Sequence, residues 1–357
     1  MSVVALRPGR ALVTVSGCSR WLVIALLSLV LACPAPVVSL AEETAGFTQQ
    51  RDASVFRQVA ERQERLRGVL VLINGEPVLE HVVRGPDLDT PVNIKSLSKT
   101  ILAALVGMAV DRGYIRDVDQ LVTELLGDRV PDDVNSRVHE ITVGHLLSMQ
   151  AGLKSTSGPN YGAWVSSDDW VAYVLRRPFV GEPGGRMRYS TGNSHLLSAA
   201  LAEQTGQSTL ALARAWLGEP LNIAIPDWLQ DPDGIHFGGN EMRLSPRALA
   251  RFGELVRAGG ELDGQELLPA SWIEQSWTPR GQSRFNDDRY GYGWFITDMA
   301  GYRTYYGWGF GGQMLYVVPG LDMTVVMTSD PSPPSPGTAH LRQLEWMLVE
   351  HLIPIAE

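Results

Sequence analysis

Cysteine is almost absent from this chain of 357 residues, and both copies, Cys18 and Cys33, lie close to the N-terminus. A mature body that begins at Glu42 would therefore contain no cysteine. This excludes disulfide bonds, thiol nucleophiles and cysteine-ligated zinc from the body. Its stability then has to come from a packed core, for which the chain is long enough.

Lysine is scarce as well, since only three of the 30 lysine and arginine residues are lysines, namely Lys95, Lys99 and Lys154. The formal net charge is -9, and the sequence shows no basic stripe that would release counterions from a phosphate backbone. We therefore expect no nucleic-acid partner. A lysine that belongs to a motif stands out against this composition.

The apolar run from Trp21 to Ala32 is too short to span a bilayer, which takes about 20 residues. Arginines precede it and prolines follow it, as is typical of a signal peptide, so the sequence predicts a periplasmic or secreted protein. Cleavage after Ala41 is favoured and gives a signal peptide of residues 1–41. A lipoprotein signal ending at residue 32, with membrane attachment through a lipidated Cys33, and an uncleaved anchor are the alternatives.

The spacing of apolar residues predicts an α+β fold. A helix within Gln50 to Arg67 is followed by strands at Gly68 to Ile73 and Pro77 to Val83, joined at Asn74-Gly75, a strong hairpin signal. Helical spacing then runs from Ser96 to just before Gly113. The remaining elements are a mainly helical region over about 117–284, strands at Tyr290 to Thr297, Tyr302 to Tyr306, Gln313 to Val318 and Met323 to Thr328, and a helix at Ala339 to Leu352.

Strands from the two ends of the chain can join in one antiparallel sheet flanked by the terminal helices. We therefore expect a single catalytic domain over residues 42–357. Its α/β lobe would comprise about 50–116 and 285–357, with an inserted helical lobe over about 117–284. The cleft between these lobes is the expected site.

Ser96-Leu97-Ser98-Lys99 is a Ser-X-X-Lys sequence at the predicted start of a buried helix. Its serine and lysine would share one helical face, so that a neutral lysine can take the serine proton. The serine amide at the helix N-terminus would stabilise a developing oxyanion. The alternative is that Ser96 or Ser98 only caps the helix.

Tyr189 begins a predicted loop that continues through Thr191 and Asn193 to the helical run starting at Leu196. A tyrosine at this place can relay protons between Ser96, Lys99 and a leaving group if nearby positive charge lowers its pKa. The alternative is a tyrosine packed at a lobe boundary.

The segment Gly307-Trp308-Gly309-Phe310-Gly311-Gly312 matches the glycine pattern of dinucleotide sites, but it lies between two predicted strands and precedes no helix. The helix N-terminus that would hold a pyrophosphate is therefore missing. The seven histidines show no pair at metal-ligand spacing. We expect neither a metal nor an organic cofactor.

Taken together, these segments resemble the serine β-lactamase-related family, which comprises class C β-lactamases, penicillin-binding proteins and esterase-like serine hydrolases, including members like the 6-aminohexanoate-oligomer hydrolases. Beside Ser96 to Lys99 and Tyr189-Ser190, the matching segments are Ile141 to Leu147, Glu182-Pro183-Gly184, Leu244 to Arg247 and Tyr290 to Trp294. The resemblance implies a class C β-lactamase-like fold. It also implies that Ser96 is the acylated nucleophile, Lys99 its base partner and Tyr189 the general acid/base.

Two departures from the family pattern bear on the substrate. Thr191 stands where the family's Tyr-X-Asn box has asparagine, although Asn193 is close by, and Trp308-Gly309 stands where the family has Lys-Thr-Gly. A lysine there would pair with a substrate carboxylate, a contact worth about 1.5–3 kcal/mol. We therefore favour an esterase or amide hydrolase acting on a small molecule over a β-lactamase, D-aminopeptidase or D,D-peptidase. A non-catalytic relative that binds a cell-wall ligand is a further alternative.

The oxyanion hole is expected to combine the Ser96 amide with an amide from the segment Gly309 to Gly312. Within that segment, Gly309, Phe310 and Gly311 are the candidates for contact with the oxyanion or the substrate. Trp308, Thr191 and Asn193 are further candidate substrate-binding residues.

Overall fold

The computed structural model describes residues 54–332 and 338–357, which belong to one compact unit, Ala45–Glu357. The predicted signal peptide, its predicted cleavage sites and Cys33 lie outside the described residues, so export and lipidation stay predictions. No helix within the described ranges is long and apolar enough to cross a membrane.

Helices and strands alternate in the order expected of an α+β chain. The strands are β1 Leu66–Ile73, β2 Glu76–Val82, β3 Val92–Asn93, β4 Arg243–Leu244, β5 Glu261–Leu262, β6 Gln265–Glu266, β7 Gly281–Gln282, β8 Arg289–Tyr290, β9 Phe295–Met299, β10 Tyr302–Gly309, β11 Gln313–Val318 and β12 Met323–Ser329. The helices are α1 (54–61), α2 Ser98–Asp111, α3 Val122–Leu126, α4 Val143–Leu147, α5 Tyr161–Val165, α6 Trp170–Leu175, α7 Thr191–Thr205, α8 Thr209–Ala213, α9 Pro246–Arg257, α10 Ala270–Ser276, α11 Ala339–Met347 and α12 Ile353–Ala356.

The main sheet has eight strands in the order β2-β1-β12-β11-β10-β9-β8-β7. Strand β1, near the start of the body, pairs antiparallel with β12, near its end, through partners such as Val71 and Val325. The two ends of the chain are therefore joined in one sheet, and the predicted α+β architecture is confirmed. Asn74 and Gly75 both have positive φ (51° and 83°), as the hairpin between β1 and β2 requires.

Both faces of the sheet are covered, which makes the central strand β11 buried at every position. Its Met314, Tyr316 and Val318 pack against residues of the terminal helices such as Phe56 and Leu344. Leu315 and Val317 belong to a second core that includes α2 and α9. The alternation of side chains along a strand thus divides the interior into two cores, one on each face.

Several boundaries differ from the sequence-based expectation. The first helix ends at residue 61, so that Leu66 and Arg67, expected at its end, lie in β1. The helix expected from Ser96 begins as a 3₁₀ turn, Lys95–Leu97, and becomes α-helical at Ser98. The strand expected over Tyr290 to Thr297 is two strands, β8 and β9, because a turn with Gly293 at φ 79° separates them. Thr191 and Asn193, expected in a loop, lie in the first turn of α7.

Helix α2 is buried from Ser98 to Ala109 and carries the site motif at its N-terminal end. Its middle is packed by Trp272 of α10, whose indole Nε1 donates to the Ala103 carbonyl at 3.1 Å. A Cβ added to Gly107 would lie 2.4 Å from the Trp272 ring. Gly107 therefore allows the indole to approach the helix backbone.

We predict that Gly107→Ala destabilises the protein although alanine favours a helix by about 1 kcal/mol over glycine. The methyl group has no space against Trp272, and overpacking of this kind costs about 1–3 kcal/mol. Urea unfolding measures the change. Gly162→Ala in α5 is the matched control, because a Cβ at Gly162 meets nothing within 4 Å, and its stability should be unchanged or slightly higher. Equal stability of Gly107→Ala and wild type would contradict this packing.

Candidate active site

Ser96 and Lys99 face each other at the start of α2. Ser96 lies in the 3₁₀ turn and is partly exposed, and Lys99 lies in the first turn of the helix. The Lys99 Nζ donates to Ser96 Oγ at 3.0 Å. Ser98, the other serine of the motif, points away and donates to the Lys95 carbonyl at 2.8 Å, and neither serine side chain caps the described helix. The structure therefore brings one serine and the lysine within proton-transfer distance.

The Lys99 ammonium is buried without a carboxylate partner among the described residues, and the whole residue is 4% exposed. Beside Ser96, its Nζ donates to the Gly239 carbonyl at 2.6 Å and to Thr191 Oγ1 at 3.3 Å. Burial lowers the pKa of Lys99 from 10.5 to about 7. A large fraction of the neutral amine, which can accept the serine proton, is therefore present near neutral pH.

Tyr189 lies beside this pair, with the Lys99 Nζ 4.9 Å from the centre of its ring. Burial raises the pKa of Tyr189 to about 12, and a hydrogen bond with Ser96 acts in the opposite direction. The condition of a pKa lowered by nearby positive charge is therefore not met, because loss of solvent dominates. At neutral pH the phenol therefore keeps its proton and can donate it.

A short polar segment, Ser155 to Ser157, fixes Tyr189 and the start of α7. Ser155 Oγ donates to the Tyr189 carbonyl at 2.7 Å, and the Thr191 amide donates to Ser157 Oγ at 2.9 Å. The Gly192 amide donates to Thr156 Oγ1 at 2.9 Å. These hydroxyls satisfy backbone groups at the start of α7 and so hold the tyrosine in place.

Of the two candidates near this helix start, the structure brings only Thr191 to the lysine. Its Oγ1 contacts both Lys99 Nζ and Ser157 Oγ, the latter at 3.0 Å. Asn193 is buried within α7 and is not among the hydrogen-bond partners of Lys99 in the described chain. Threonine at this position thus supplies the oxygen that the lysine contacts.

Gly239 is a site residue that the sequence analysis missed. It has φ +89°, and a Cβ there would lie 2.8 Å from Lys99 Cγ and 2.7 Å from Ser194 Cβ. Only glycine gives both the left-handed backbone and the space for the lysine. The Gly238-Gly239 doublet was the available signal, but a carbonyl ligand leaves no side-chain pattern in the sequence.

Glu241, two residues further on, holds Lys95, the residue before Ser96. It accepts from Lys95 Nζ at 2.9 Å and from Asn93 Nδ2 at 2.6 Å, while the Lys95 amide donates to Asn93 Oδ1 at 2.9 Å. Lys95 has φ +53°, which is unusual for a residue with a side chain. These contacts stabilise the strained conformation that turns Ser96 toward Lys99.

The end of β10 packs against the turn that carries Ser96. A Cβ on Gly309 would lie 2.1 Å from the Ile94 carbonyl oxygen, so glycine is required for this close approach. Gly311 and Gly312 are buried with φ of 83° and 94°, whereas Phe310 is 51% exposed. The glycine-rich edge thus lies beside the serine, with the Phe310 side chain largely in solvent.

Trp308 belongs to an aromatic cluster at the same edge. Its ring is 6.1 Å from Phe285 and 5.8 Å from Phe295, measured between ring centres. Phe285, which the sequence analysis also missed, contacts Tyr189 at 5.8 Å as well. The sheet edge beside Tyr189 is therefore apolar, as expected from a tryptophan in place of lysine.

The described residues contain no group of three or more His, Asp, Glu or Cys side chains placed to hold a metal ion.

Comparison with known proteins gives the wider context of this arrangement. A family model described as Beta-lactamase matches residues 53–346. The 6-aminohexanoate-dimer hydrolase of Paenarthrobacter ureafaciens is 25% identical over 301 residues, which cover 77% of this chain and 75% of that protein.

Solved structures are similar in fold at lower identity. A penicillin-binding protein homologue from Caulobacter crescentus has a TM-score of 0.67 and 18% identity, covering 86% of this chain and 97% of its own. EstCE1, described as a hydrolase with promiscuous acyltransferase activity, has a TM-score of 0.68 and 15% identity, covering 87% and 100%. The β-lactamase-like fold predicted from the sequence is confirmed.

We predict that Gly239→Ala lowers catalytic activity at least about tenfold, because a Cβ would displace Lys99 from Ser96 by a few tenths of an ångström or more. Gly234→Ala is the matched control. Gly234 also has positive φ (+81°), but a Cβ there meets nothing within 4 Å. Both variants should lose about 1 kcal/mol of stability from backbone strain. Gly239→Ala should lose more because its Cβ also overlaps Ser194, and only Gly239→Ala should lose activity. Equal activity of the two variants would show that the Gly239 contact does not position Lys99.

Proposed function

The chain belongs to the beta-lactamase family, and from this membership we propose that it is a serine hydrolase that cleaves ester or amide bonds through an acyl-enzyme at Ser96. The observation that carries the proposal is the buried Lys99, whose amine lies 3.0 Å from Ser96 Oγ and whose pKa is lowered to about 7. A base with a pKa near the working pH is the most effective acceptor for a serine proton.

In the first half of the reaction, neutral Lys99 takes the proton of Ser96 as Oγ attacks the substrate carbonyl carbon. The Ser96 amide and an amide of the segment Gly309 to Gly312 stabilise the oxyanion. Tyr189 donates its proton to the leaving oxygen or nitrogen, and the lysine proton restores it. The acyl group is then held as an ester on Ser96.

In the second half, a water molecule attacks the acyl-enzyme carbonyl carbon. Neutral Lys99 accepts one proton of this water, with the Tyr189 hydroxyl relaying it, and this proton is passed on to Ser96 Oγ, which leaves with the bonding electron pair. The released product is the carboxylic acid. No cofactor takes part in these steps.

The substrate preference follows from the sheet edge. Trp308 packs between Phe285 and Phe295, so the place of a carboxylate-binding lysine is taken by an apolar surface. A β-lactam or D-alanyl peptide carboxylate would lose a charge-assisted contact of about 1.5–3 kcal/mol there. Esters and amides without a carboxylate at that position are therefore the better substrates.

The test compares short-chain nitrophenyl esters with a chromogenic cephalosporin, using the mature protein and its Ser96→Ala variant. We expect ester turnover that depends on Ser96 and little cephalosporin turnover. Mass spectrometry should show an acyl group on Ser96 in the wild type and none in the variant. Efficient cephalosporin hydrolysis would instead favour β-lactamase or peptidase activity, and absence of both an adduct and turnover would favour a non-catalytic binding protein.

The pH profile of ester hydrolysis tests the role of Lys99. Since only the neutral amine accepts a proton, kcat/KM should rise with pH, be half-maximal near pH 7 and level off above it, because burial lowers the Lys99 pKa to about 7. Lys99→Arg should lose the activity, because the guanidinium stays protonated. Lys154→Arg alters an exposed lysine and should keep the wild-type profile. A rise centred above about pH 9 would contradict a buried, neutral Lys99.

A further inference from the structure

A large cleft has Tyr189 in its lining, whereas Ser96 and Lys99 do not line it. Its volume is about 1050 Å³, and it is lined by parts of the segments 150–160, 178–189 and 280–289. The lining includes six basic side chains, and we call them the basic cleft: Lys154, Arg186, Arg188, Arg280, Arg284 and Arg289.

The charge of the basic cleft is opposite to that of the protein. The whole chain carries a net charge of -9, yet one carboxylate, Asp287, faces the six basic groups of the lining. None of the six forms an ion pair within the part of the chain that the structure describes. Arg176, which lies outside the cleft, forms an ion pair with Asp133 at 2.8 Å by contrast.

The contacts that the cleft arginines do make fix their position without neutralising their charge. Arg188 donates to the Val180 carbonyl at 2.7 Å. Arg280 donates to the Gln275 carbonyl at 3.2 Å and lies 4.0 Å above the Tyr292 ring. Like charges gathered on one concave surface repel each other and focus a positive potential into the cleft. An anion bound there would relieve the repulsion.

The cleft is continuous with the proposed reaction site. Tyr189 lines the cleft and is also the neighbour of Lys99. Phe285, next to the cleft residue Arg284, contacts both Tyr189 and Trp308. The leaving portion of a substrate bound at Ser96 can therefore reach the cleft beside Tyr189.

We propose that the basic cleft binds a carboxylated leaving group, so that the preferred substrates are esters or amides whose leaving portion carries one or more carboxylates. This proposal rests on the proposed function, in which Tyr189 protonates the leaving group. The cleft is concave and has the size of a small-ligand pocket, which fits a small molecule rather than a polymer. Arginine forks match carboxylates in pairs of hydrogen bonds.

The test uses two acetyl esters that differ in the charge of the leaving group. One is the acetyl ester of 5-hydroxyisophthalate, which has two carboxylates, and the other is its neutral diamide counterpart. In both, the acetyl group moves to Ser96 and the phenol leaves with a proton from Tyr189. At low ionic strength kcat/KM should be about tenfold or more higher for the dicarboxylate, and added NaCl should reduce the difference.

The double variant Arg186→Gln/Arg284→Gln should remove most of this preference, because it should lower kcat/KM for the dicarboxylate far more than kcat/KM for the neutral ester. The control is Arg62→Gln, which removes an exposed arginine that does not line the cleft. A wild type that does not prefer the dicarboxylate, or a double variant that keeps the preference, would overturn the proposal.

Binding of free 5-hydroxyisophthalate to the Ser96→Ala protein separates this inference from the proposed function. We expect saturable, salt-sensitive binding. The binding should be lost when the double substitution is added and kept when Arg62→Gln is added. This result would support carboxylate binding by the basic cleft even if ester turnover did not depend on Ser96. Serine-dependent turnover of both esters without binding of the dicarboxylate would support the proposed hydrolase function. It would refute the proposal that the basic cleft binds a carboxylated leaving group. Equal displacement of the probe by inorganic phosphate would show a general anion site and refute selection of carboxylates.

Discussion

The site depends on the burial of one amine, Lys99, without an opposing charge among the described residues. Burial lowers its pKa to about 7, so between that pH and the ordinary value of 10.5 the unfolded chain binds more protons than the folded one. The free energy of unfolding therefore rises with pH across this window, and below pH 7 the full cost of burying the ammonium is present. The fold offsets part of that cost with oxygen acceptors for the Nζ protons.

Those acceptors come from three parts of the chain that are far apart in sequence. The position of the Lys99 Nζ therefore depends on the packing of all three parts. Ser96 Oγ precedes α2, Thr191 Oγ1 begins α7, and the Gly239 carbonyl lies in the segment before β4. Each of these segments is held by further contacts of its own. Glycines allow the closest approaches, at Gly239 beside the lysine and at Gly309 beside the Ile94 carbonyl. The accuracy of the site is thus a property of tertiary packing.

This division explains what could be predicted from the sequence. Local patterns were sufficient for the hairpin at Asn74-Gly75, for the buried helix α2 and for the serine and lysine one turn apart at its start. Long-range contacts were not predictable in the same way, since a carbonyl ligand such as Gly239 has no side-chain signature. The environment of Tyr189 was misjudged for a related reason. The charges near a residue can be guessed from a motif, but its loss of solvent depends on everything that packs around it.

The positive charge near the candidate site does not lie at the sheet edge, where a carboxylate-binding lysine would place it. The edge carries Trp308, packed against Phe285 and Phe295, and offers an apolar surface next to Ser96. The unpaired positive charge lies instead in the loops beyond Tyr189, where it lines an open cleft. Phe285 contacts both Tyr189 and Trp308 and so lies between the two surfaces.

Such a separation has a consequence for catalysis. In the proposed mechanism, attraction of an anionic leaving group by the cleft helps to bind the substrate, and it continues after the bond to that group is broken. The apolar edge of that mechanism does not hold the acyl portion by charge, and water reaches the proposed acyl-enzyme once the leaving group has diffused away. Salt weakens the exposed arginines of the cleft far more than it weakens the buried contacts of Lys99. Ionic strength would therefore act on substrate capture and product release, while the proton transfers at Ser96 stay nearly unaffected.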